Sequence, residues 1–212
     1  MRQTDVVRTD VPGALNRAVA VLRAGSLVAF PTDTVYGVGA DAANPAAVSQ
    51  LYAAKLRPEG KAIPLLLGEG SDLDRLAVNL PPVAQRLVAA FWPGALTLVA
   101  WRSRAVIDMV TAGGPTVALR LPDHTVARAL ARALGGALAA TSANISGARE
   151  ATTAAEVLAQ LAGRIDLLLD GGPCVGGAAS TVLDVTTDPP TVLRAGALDA
   201  GLLQRILAQP GH

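Results

Sequence analysis

The sequence predicts an α/β fold in which helices flank a mixed β-sheet. Short apolar runs of strand length alternate with longer helical segments early in the chain, which is typical of strands joined by helices. The last apolar runs follow one another with short turns, so antiparallel strands are expected beside parallel ones. No linker, low-complexity tract or repeat divides the 212 residues, and we expect a single domain over 1–212.

Turn and capping residues define the first predicted elements. The apolar run between Gly25 and Pro31 is typical of a buried strand. Asn44 can cap a helix that has Pro45 in its first turn, and we expect this helix to end near Lys55.

The same signals continue along the chain. Thr153 and Glu156 have the spacing of a capping box, which predicts a helix start. The predicted strands cover residues 26–30, 63–67, 96–101, 116–121, 137–140, 167–169, 181–185 and 191–194. The predicted helices cover residues 14–23, 45–55, 83–91, 126–134, 153–161 and 202–207.

Composition excludes several classes of protein. With 18 basic and 17 acidic residues, the net charge of +1 gives no overall attraction to nucleic acid. The mean hydropathy is +0.40, but charges, Gly and Pro break every apolar run before the roughly 20 residues that span a bilayer. Residues 1–12 lack the apolar core of a secretory signal. We therefore expect a soluble, cytoplasmic protein with no membrane contact.

Cysteine and histidine are too few for several kinds of site. Cys174 alone cannot form an internal disulfide, and with His124 and His212 it makes no zinc-binding cluster. No histidine or second cysteine near Cys174 would activate its thiol. Asp123 and His124 resemble a helix start, because no nucleophile-elbow serine accompanies them.

One polar group follows the first predicted strand. Residues 31–39 place two hydroxyls, a carboxylate and a phenol beside glycines that permit close ligand approach. A polar turn is the alternative. Gly37, Gly39 and Ala42 also fit a loose dinucleotide fingerprint, but the helix signal at Asn44 comes too late for it.

Several cations are candidates for an anion site. Lys55, Arg57 and Lys61 lie at a helix end and in the loop after it. They could complement the helix dipole, although the last two extend past the helix, where a polyphosphate would explain them better. Arg120 and Arg194 end two apolar strands, and each needs a structural carboxylate or a bound anion.

Two further loops are candidates for ligand binding. Residues 141–147 offer hydroxyl and amide groups to a small polar ligand or a ribose, or they form an Asx or Ser turn. The glycine-rich residues 171–177 lack the Lys-Ser/Thr ending of a phosphate-binding P-loop.

Six motifs, taken in order, resemble the YrdC-like threonylcarbamoyl-AMP synthase family. They are residues 31–39, 55–58 with Lys61, 92–94 with Thr97, 120–124, 142–147 and 180–182. Each motif alone is modest, but six in register are specific. The resemblance implies a twisted α/β sheet of the YrdC/RibB type, with a core at about 14–196 and a C-terminal helix at about 198–209.

The resemblance also implies which residues bind the substrates. Threonine would be held around Thr34, Arg120, Ser142 and Ser180 or Thr181. ATP would contact Arg57, Lys61, Thr116, Asn144, Thr152 and Arg194. Lys55, Arg57 and Lys61 would form the catalytic basic motif, and no protein-bound metal is implied.

The activity implied by the resemblance is that of a nucleotidyltransferase. L-threonine, bicarbonate or CO2, and ATP would give L-threonylcarbamoyl-AMP and pyrophosphate, for threonylcarbamoyladenosine modification of tRNA. Mg²⁺ would accompany ATP. The expected partners are these substrates, downstream threonylcarbamoyl-transferase proteins and, weakly, tRNA.

The chain departs from the family pattern in one region. Two extra residues lie between Lys61 and Leu65, and Leu67 or Gly68 replaces a polar residue often found at that strand's end, which affects the expected wall of the threonine pocket. The chain ends soon after one C-terminal helix, so it resembles the short form of the family.

Two rival functions share this fold. A non-catalytic RNA-binding module is disfavoured by the near-neutral charge and the lack of interleaved aromatic and basic residues. A carbamoyl-transfer domain of the hydrogenase-maturation type would be accompanied by zinc-finger and acylphosphatase modules, which the sequence does not contain.

Overall fold

The computed structural model describes residues 3–208. The expected helix end at 209 and His212 lie outside this range. The strands are β1 (Asp5–Arg8), β2 (Val28–Phe30), β3 (Gly37–Asp41), β4 (Leu65–Leu67), β5 (Ala77–Val78), β6 (Leu96–Arg102), β7 (Thr116–Arg120), β8 (Ala137–Ser142), β9 (Leu167–Asp170), β10 (Thr181–Asp184) and β11 (Thr191–Arg194). The helices are α1 (Ala14–Arg23), α2 (Pro45–Lys55), α3 (Asp72–Leu76), α4 (Pro82–Phe91), α5 (Asp108–Thr111), α6 (Thr125–Ala133), α7 (Ala154–Leu161) and α8 (Ala200–Leu207).

All of these strands belong to one mixed sheet, as the sequence predicts. Its order is β1-β9-β2-β3-β8-β4-β7-β6-β10-β11, and β5 pairs with β6. The sheet contains parallel pairs, such as β4 with β7, and antiparallel pairs, such as β6 with β7. None of the helices in residues 3–208 is long and apolar enough to cross a membrane.

The two faces of the sheet are covered differently. Helices α2 to α5, α7 and α8 contribute to the larger core on one face. On the other face, α1 and α6 cover only the half formed by β9, β2, β8 and β4. There, Val28, Leu66 and Leu138 of the sheet share a buried cluster with Leu22 of α1 and Leu130 of α6.

The other half of that second face stays open. Its side chains come from β7, β6 and β10, where Val99 pairs with Ala118 and Trp101 with Thr116. Trp101 is 40% exposed and Val182 is partly exposed. The boundary between the covered and open halves therefore forms a step on the sheet surface.

Local capping explains where the best-predicted helices begin. The Asn44 side chain accepts hydrogen bonds from the amides of Ala46 and Ala47 at 3.1 and 3.2 Å. The capping box of Thr153 and Glu156 is also present. Both predicted helix starts are confirmed, and most other predicted boundaries agree within two residues.

Five elements were not predicted, because they lack an apolar run or are very short. Strand β3 contains Gly37 and Gly39, which weaken a strand signal but allow close packing. A Cβ atom at Gly37 would lie 3.0 Å from the ring of Phe30, and one at Gly39 would lie 3.1 Å from the carbonyl oxygen of Ala139. Edge strand β1 is mostly exposed and charged, and β5, α3 and α5 have two to five residues.

The capping of α2 gives a testable stability prediction. Replacing Asn44 with alanine removes the acceptor for two otherwise unsatisfied amides, so the free energy of unfolding should fall by about 1 kcal/mol. Urea unfolding measures this change. Asn16→Ala, at an exposed position within α1, is the matched control and should leave stability unchanged or slightly raised. Equal stability of Asn44→Ala and the wild type would contradict the capping role.

Candidate active site

A cavity of about 130 Å³ opens at the step between the covered and open halves of the sheet. Its floor includes Ala118 of β7 and Ala140 of β8, and its walls come from segments that are distant in the sequence. The polar side chains that line it are Thr32, Thr34, Thr97, Arg120, Thr141, Ser142, Glu150, Ser180 and Arg194. The sheet thus brings to one cavity four of the residues that were predicted to bind L-threonine. They are Thr34, Arg120, Ser142 and Ser180.

Arg120 is fixed at the wall of this cavity by three hydrogen bonds. Its Nη2 donates to Oδ1 of Asp33 at 2.6 Å, its Nη1 to Oγ1 of Thr34 at 3.0 Å, and its Nε to the Gly94 carbonyl at 2.9 Å. The side chain is only 8% exposed. Burial lowers the pKa of Arg120, while the Asp33 carboxylate opposes that shift. Of the two alternatives expected for this arginine, a structural carboxylate or a bound anion, the structure shows the carboxylate, that of Asp33.

Two pairs of hydroxyl groups line the same cavity as Arg120. The hydroxyl oxygens of Thr32 and Thr34 are 3.0 Å apart, and the hydroxyl oxygens of Thr97 and Ser180 are 2.8 Å apart. Arg194 is exposed and donates from Nη2 to the Ser180 carbonyl at 2.8 Å. The guanidinium of Arg194 thus bonds to a neutral backbone oxygen at the cavity edge, where it can also meet an anion.

Lys55 lies behind the cavity and not in its lining. Its Nζ donates to the backbone carbonyls of Ser142 and Asn144 and lies 3.5 Å from Oδ1 of Asn144. The Ser146 amide donates to the Lys55 carbonyl at 2.9 Å. Burial, with a smaller contribution from nearby Arg57 and against the opposing effect of Glu150, lowers the pKa of Lys55 to about 7. Lys55 therefore holds the loop after β8.

Arg57 and Lys61 lie in the loop that leads to the cavity wall. Arg57 Nε donates to the Lys61 carbonyl at 3.0 Å, and its Nη2 donates to the Ala62 carbonyl at 2.7 Å. Burial lowers the pKa of Arg57. Lys61 is exposed, and Pro64 shortly after it lines the cavity. Neither cation lines the cavity itself.

The remaining predicted residues lie outside the cavity lining. Thr116 shares a face of β7 with Ala118, two residues beyond the floor. Asn144 is 5% exposed, and its Nδ2 donates to the carbonyls of Ile145 and Ala148. The Thr152 hydroxyl donates to Glu156, and the Thr181 hydroxyl accepts hydrogen bonds from backbone amides at 196 and 198.

The departure from the family pattern at Leu67 or Gly68 lies outside the lining of this cavity. The cavity wall is formed by Pro64 and Leu66, whereas the Leu67 side chain packs in the core on the opposite face. Alternation of side chains along β4 could have located this wall, because residues 64 and 66 must share a face. Glu150, also absent from the predicted site, lies in an irregular loop that gives no periodic signal.

The glycine-rich residues 171–177 support the site from behind. The Tyr36 hydroxyl donates to the Gly172 carbonyl at 2.7 Å, and burial raises its pKa to about 12. A Cβ atom at Gly176 would lie 2.4 Å from the Asp33 carbonyl oxygen, so this loop packs directly on the turn after β2. Burial also raises the pKa of the Cys174 thiol, which disfavours a reactive thiolate.

Known proteins resemble this chain over most of its length. A family model named Sua5_yciO_yrdC and described as "Telomere recombination" matches residues 20–196. The chain belongs to the Sua5/YciO/YrdC family. It is 42% identical over 205 residues to the threonylcarbamoyl-AMP synthase of Bacillus subtilis, covering 96% of this chain and 59% of that protein. The predicted family membership is confirmed.

Solved structures of the family confirm the predicted fold. P. abyssi Sua5 complexed with L-threonine superposes with a TM-score of 0.91 at 38% identity, covering 97% of this chain and 61% of that one. E. coli YciO gives a TM-score of 0.83 at 28% identity, covering 94% of this chain and 98% of that one. The chain therefore spans less than two thirds of the B. subtilis and P. abyssi relatives.

The buried ammonium of Lys55 leads to a prediction about pH. The folded-state pKa of about 7 lies below the ordinary value of 10.5, so the unfolded chain binds more protons between these values. Stability should rise with pH across this window, and Lys55→Met removes the effect. We expect the wild-type minus Lys55→Met difference in unfolding free energy to increase by up to about 1.4 kcal/mol per pH unit.

Urea titrations at several pH values between about 7.5 and 9.5 measure this difference. Other titrating groups are common to both proteins, so their contributions cancel. A difference that does not change with pH would show that the Lys55 pKa is not lowered.

Proposed function

We propose that this chain is an L-threonylcarbamoyladenylate synthase. It joins L-threonine, bicarbonate or CO2, and ATP into L-threonylcarbamoyl-AMP and releases pyrophosphate. The observation that carries this proposal is the convergence of Thr34, Arg120, Ser142 and Ser180 on one small cavity. Support comes from the named B. subtilis synthase and from the close likeness to Sua5 complexed with L-threonine.

The cavity has groups suited to a small amino acid. A guanidinium carries five N–H donors, and Asp33, Thr34 and Gly94 use three of those of Arg120. The remaining donors can meet a carboxylate, and charge-assisted hydrogen bonds of this kind are stronger than neutral ones. The Thr97–Ser180 hydroxyl pair and the apolar Leu66 offer complementary contacts to a side chain with one hydroxyl and one methyl group.

ATP needs more room than the cavity provides. The open half of the sheet extends from the floor toward Thr116, and Arg194 lies at the cavity edge. Arg57 and Lys61 lie on the segment that enters the wall at Pro64. In this proposal the triphosphate lies along that open surface, and Asn144 and Thr152 contribute from the loop between β8 and α7. Arg57 would exchange its carbonyl partners for phosphate oxygens.

The proposed chemistry requires no enzyme nucleophile. The threonine amine captures CO2 to give a carbamate, whose oxygen attacks the α-phosphate of ATP and expels pyrophosphate. Catalysis then rests on alignment of the reactants and on compensation of negative charge. Lys55 contributes by fixing the end of β8, which carries Ser142, and the loop that follows it. Magnesium would be bound through the oxygens of ATP.

The biological setting is also part of the proposal. The product would serve threonylcarbamoyladenosine formation in tRNA, through downstream threonylcarbamoyl-transferase proteins, in the cytoplasm. A net charge of +1 fits weak tRNA binding at most. The alternative of a non-catalytic RNA-binding module has no comparable support from the cavity.

Pyrophosphate release tests the function directly. The purified chain is incubated with ATP, Mg²⁺, bicarbonate and each amino acid in turn. We expect pyrophosphate to be released with L-threonine and far less with serine or valine, since each of these lacks either the methyl or the hydroxyl group. Tight tRNA binding without any ATP consumption would instead favour the RNA-binding module.

Arg57 provides a test of the ATP end of the site. Arg57→Ala removes a cation from the proposed phosphate contacts, so threonine-dependent pyrophosphate release should fall at least about 100-fold. The circular dichroism spectrum should stay that of the wild type. Arg104→Ala removes an exposed arginine that does not line the cavity, and it should keep full activity. Unchanged turnover of Arg57→Ala would remove Arg57 from the site.

A further inference from the structure

Glu150 is an acidic side chain in the cavity that the proposed reaction has not yet used. It lines the same cavity as Thr34, Arg120 and Ser180. The other acid nearby, Asp33, is already paired with Arg120 at 2.6 Å. Among the described residues that line the cavity, Glu150 is the acidic one, and the other charged residues, Arg120 and Arg194, are cations.

The loop on both sides of Glu150 is held in place. The carbonyl of Ala148 accepts a hydrogen bond from Nδ2 of Asn144 at 2.7 Å. On the other side, the carbonyl of the fully buried Ala151 accepts a hydrogen bond from the Tyr36 amide at 2.8 Å. Because these anchors lie within two residues of it, Glu150 is presented to the cavity by a fixed backbone.

Lys55 is close enough to interact electrostatically with Glu150, but within residues 3–208 the two side chains form no ion pair. The charge of Glu150 raises the pKa of Lys55, but the Lys55 ammonium donates its hydrogen bonds to the carbonyls of Ser142 and Asn144. Arg120 is turned toward Asp33. Neither Lys55 nor Arg120 pairs with the Glu150 carboxylate, so its oxygens can accept hydrogen bonds from a ligand in the cavity.

An amino acid has the matching pattern of charge. Its carboxylate suits Arg120 or Arg194, and its α-ammonium group needs an anionic acceptor in the same small volume. We propose that Glu150 binds the α-ammonium group of the amino-acid substrate and so positions the nitrogen that becomes the carbamate. This inference rests on the proposed function, because it assigns a residue to the amino acid of that reaction.

A ribose hydroxyl of ATP is the competing ligand for this carboxylate. Glu150 lies in the loop between Asn144 and Thr152, both of which are predicted to contact ATP. The amino acid is favoured because Glu150 lines the same small cavity as Thr34 and Arg120, whereas Asn144 and Thr152 do not line it. If Glu150 contacts the amino acid, its substitution should raise the KM for threonine. If it contacts the ribose, the substitution should raise the KM for ATP.

Glu150→Gln removes the charge and keeps the size of the side chain. L-threonine binding is measured by calorimetry without ATP, and KM for threonine and for ATP is measured from pyrophosphate release. Loss of a charge-assisted hydrogen bond should weaken threonine binding roughly 10- to 100-fold and raise its KM similarly. The KM for ATP should stay unchanged, and Glu150→Asp should recover part of the affinity.

N-acetyl-L-threonine separates an ammonium contact from a general effect on the cavity. It lacks the ammonium group, so its weak binding should be the same in the wild type and in Glu150→Gln. Asp74→Asn, which removes an exposed carboxylate on α3, is the matched charge control and should bind L-threonine like the wild type.

The outcomes distinguish this inference from the proposed function. The ammonium contact would be overturned if Glu150→Gln left threonine affinity unchanged or raised only the KM for ATP. Threonine-dependent pyrophosphate release would still uphold the proposed function in that case. Glu150-dependent threonine binding without pyrophosphate release would uphold the contact and reject the function.

Discussion

The ammonium group of Lys55 is buried, and the backbone carbonyls of Ser142 and Asn144 surround it. A buried cation is tolerated only where oxygen atoms replace its water, so the loop after β8 must keep the conformation that supplies them. The Ser146 amide returns a hydrogen bond to the Lys55 backbone. Through these contacts the end of α2 determines where Ser142 and the segment leading to Glu150 meet the cavity.

Arg120 has the corresponding role for the turn after β2. Its bonds to Asp33, Thr34 and Gly94 join three segments and keep a guanidinium at the cavity wall with its charge partly balanced. Two buried cations therefore organise the backbone of the site, and their charges are largely taken up by protein oxygens. The more exposed cations Arg57, Lys61 and Arg194 remain for a ligand. This division suits the proposed function, in which an amino acid and a polyphosphate would bind side by side.

The uneven cover of the sheet explains why a cavity exists at all. Helices α1 and α6 cover one half of a sheet face, and their cover stops near the middle of that face. Side chains from the covered and the open half therefore meet at the step. The sequence predicted both helices and most strands, because capping residues and apolar runs are local signals. It missed β3, since glycines that serve close packing look like loop residues, and it missed Glu150, because an irregular loop has no period.

The sequence by itself determined the α/β class, the starts of α2 and α7, the family and the set of polar motifs from which the site is built. Only the tertiary structure decided which of these side chains share a cavity. It separated Thr34, Arg120, Ser142 and Ser180, which line the cavity, from Lys55 and Thr181, whose polar atoms bind backbone groups. The reason is physical: motif spacing records order along the chain, whereas strand register and hydrogen bonding decide where each side chain points.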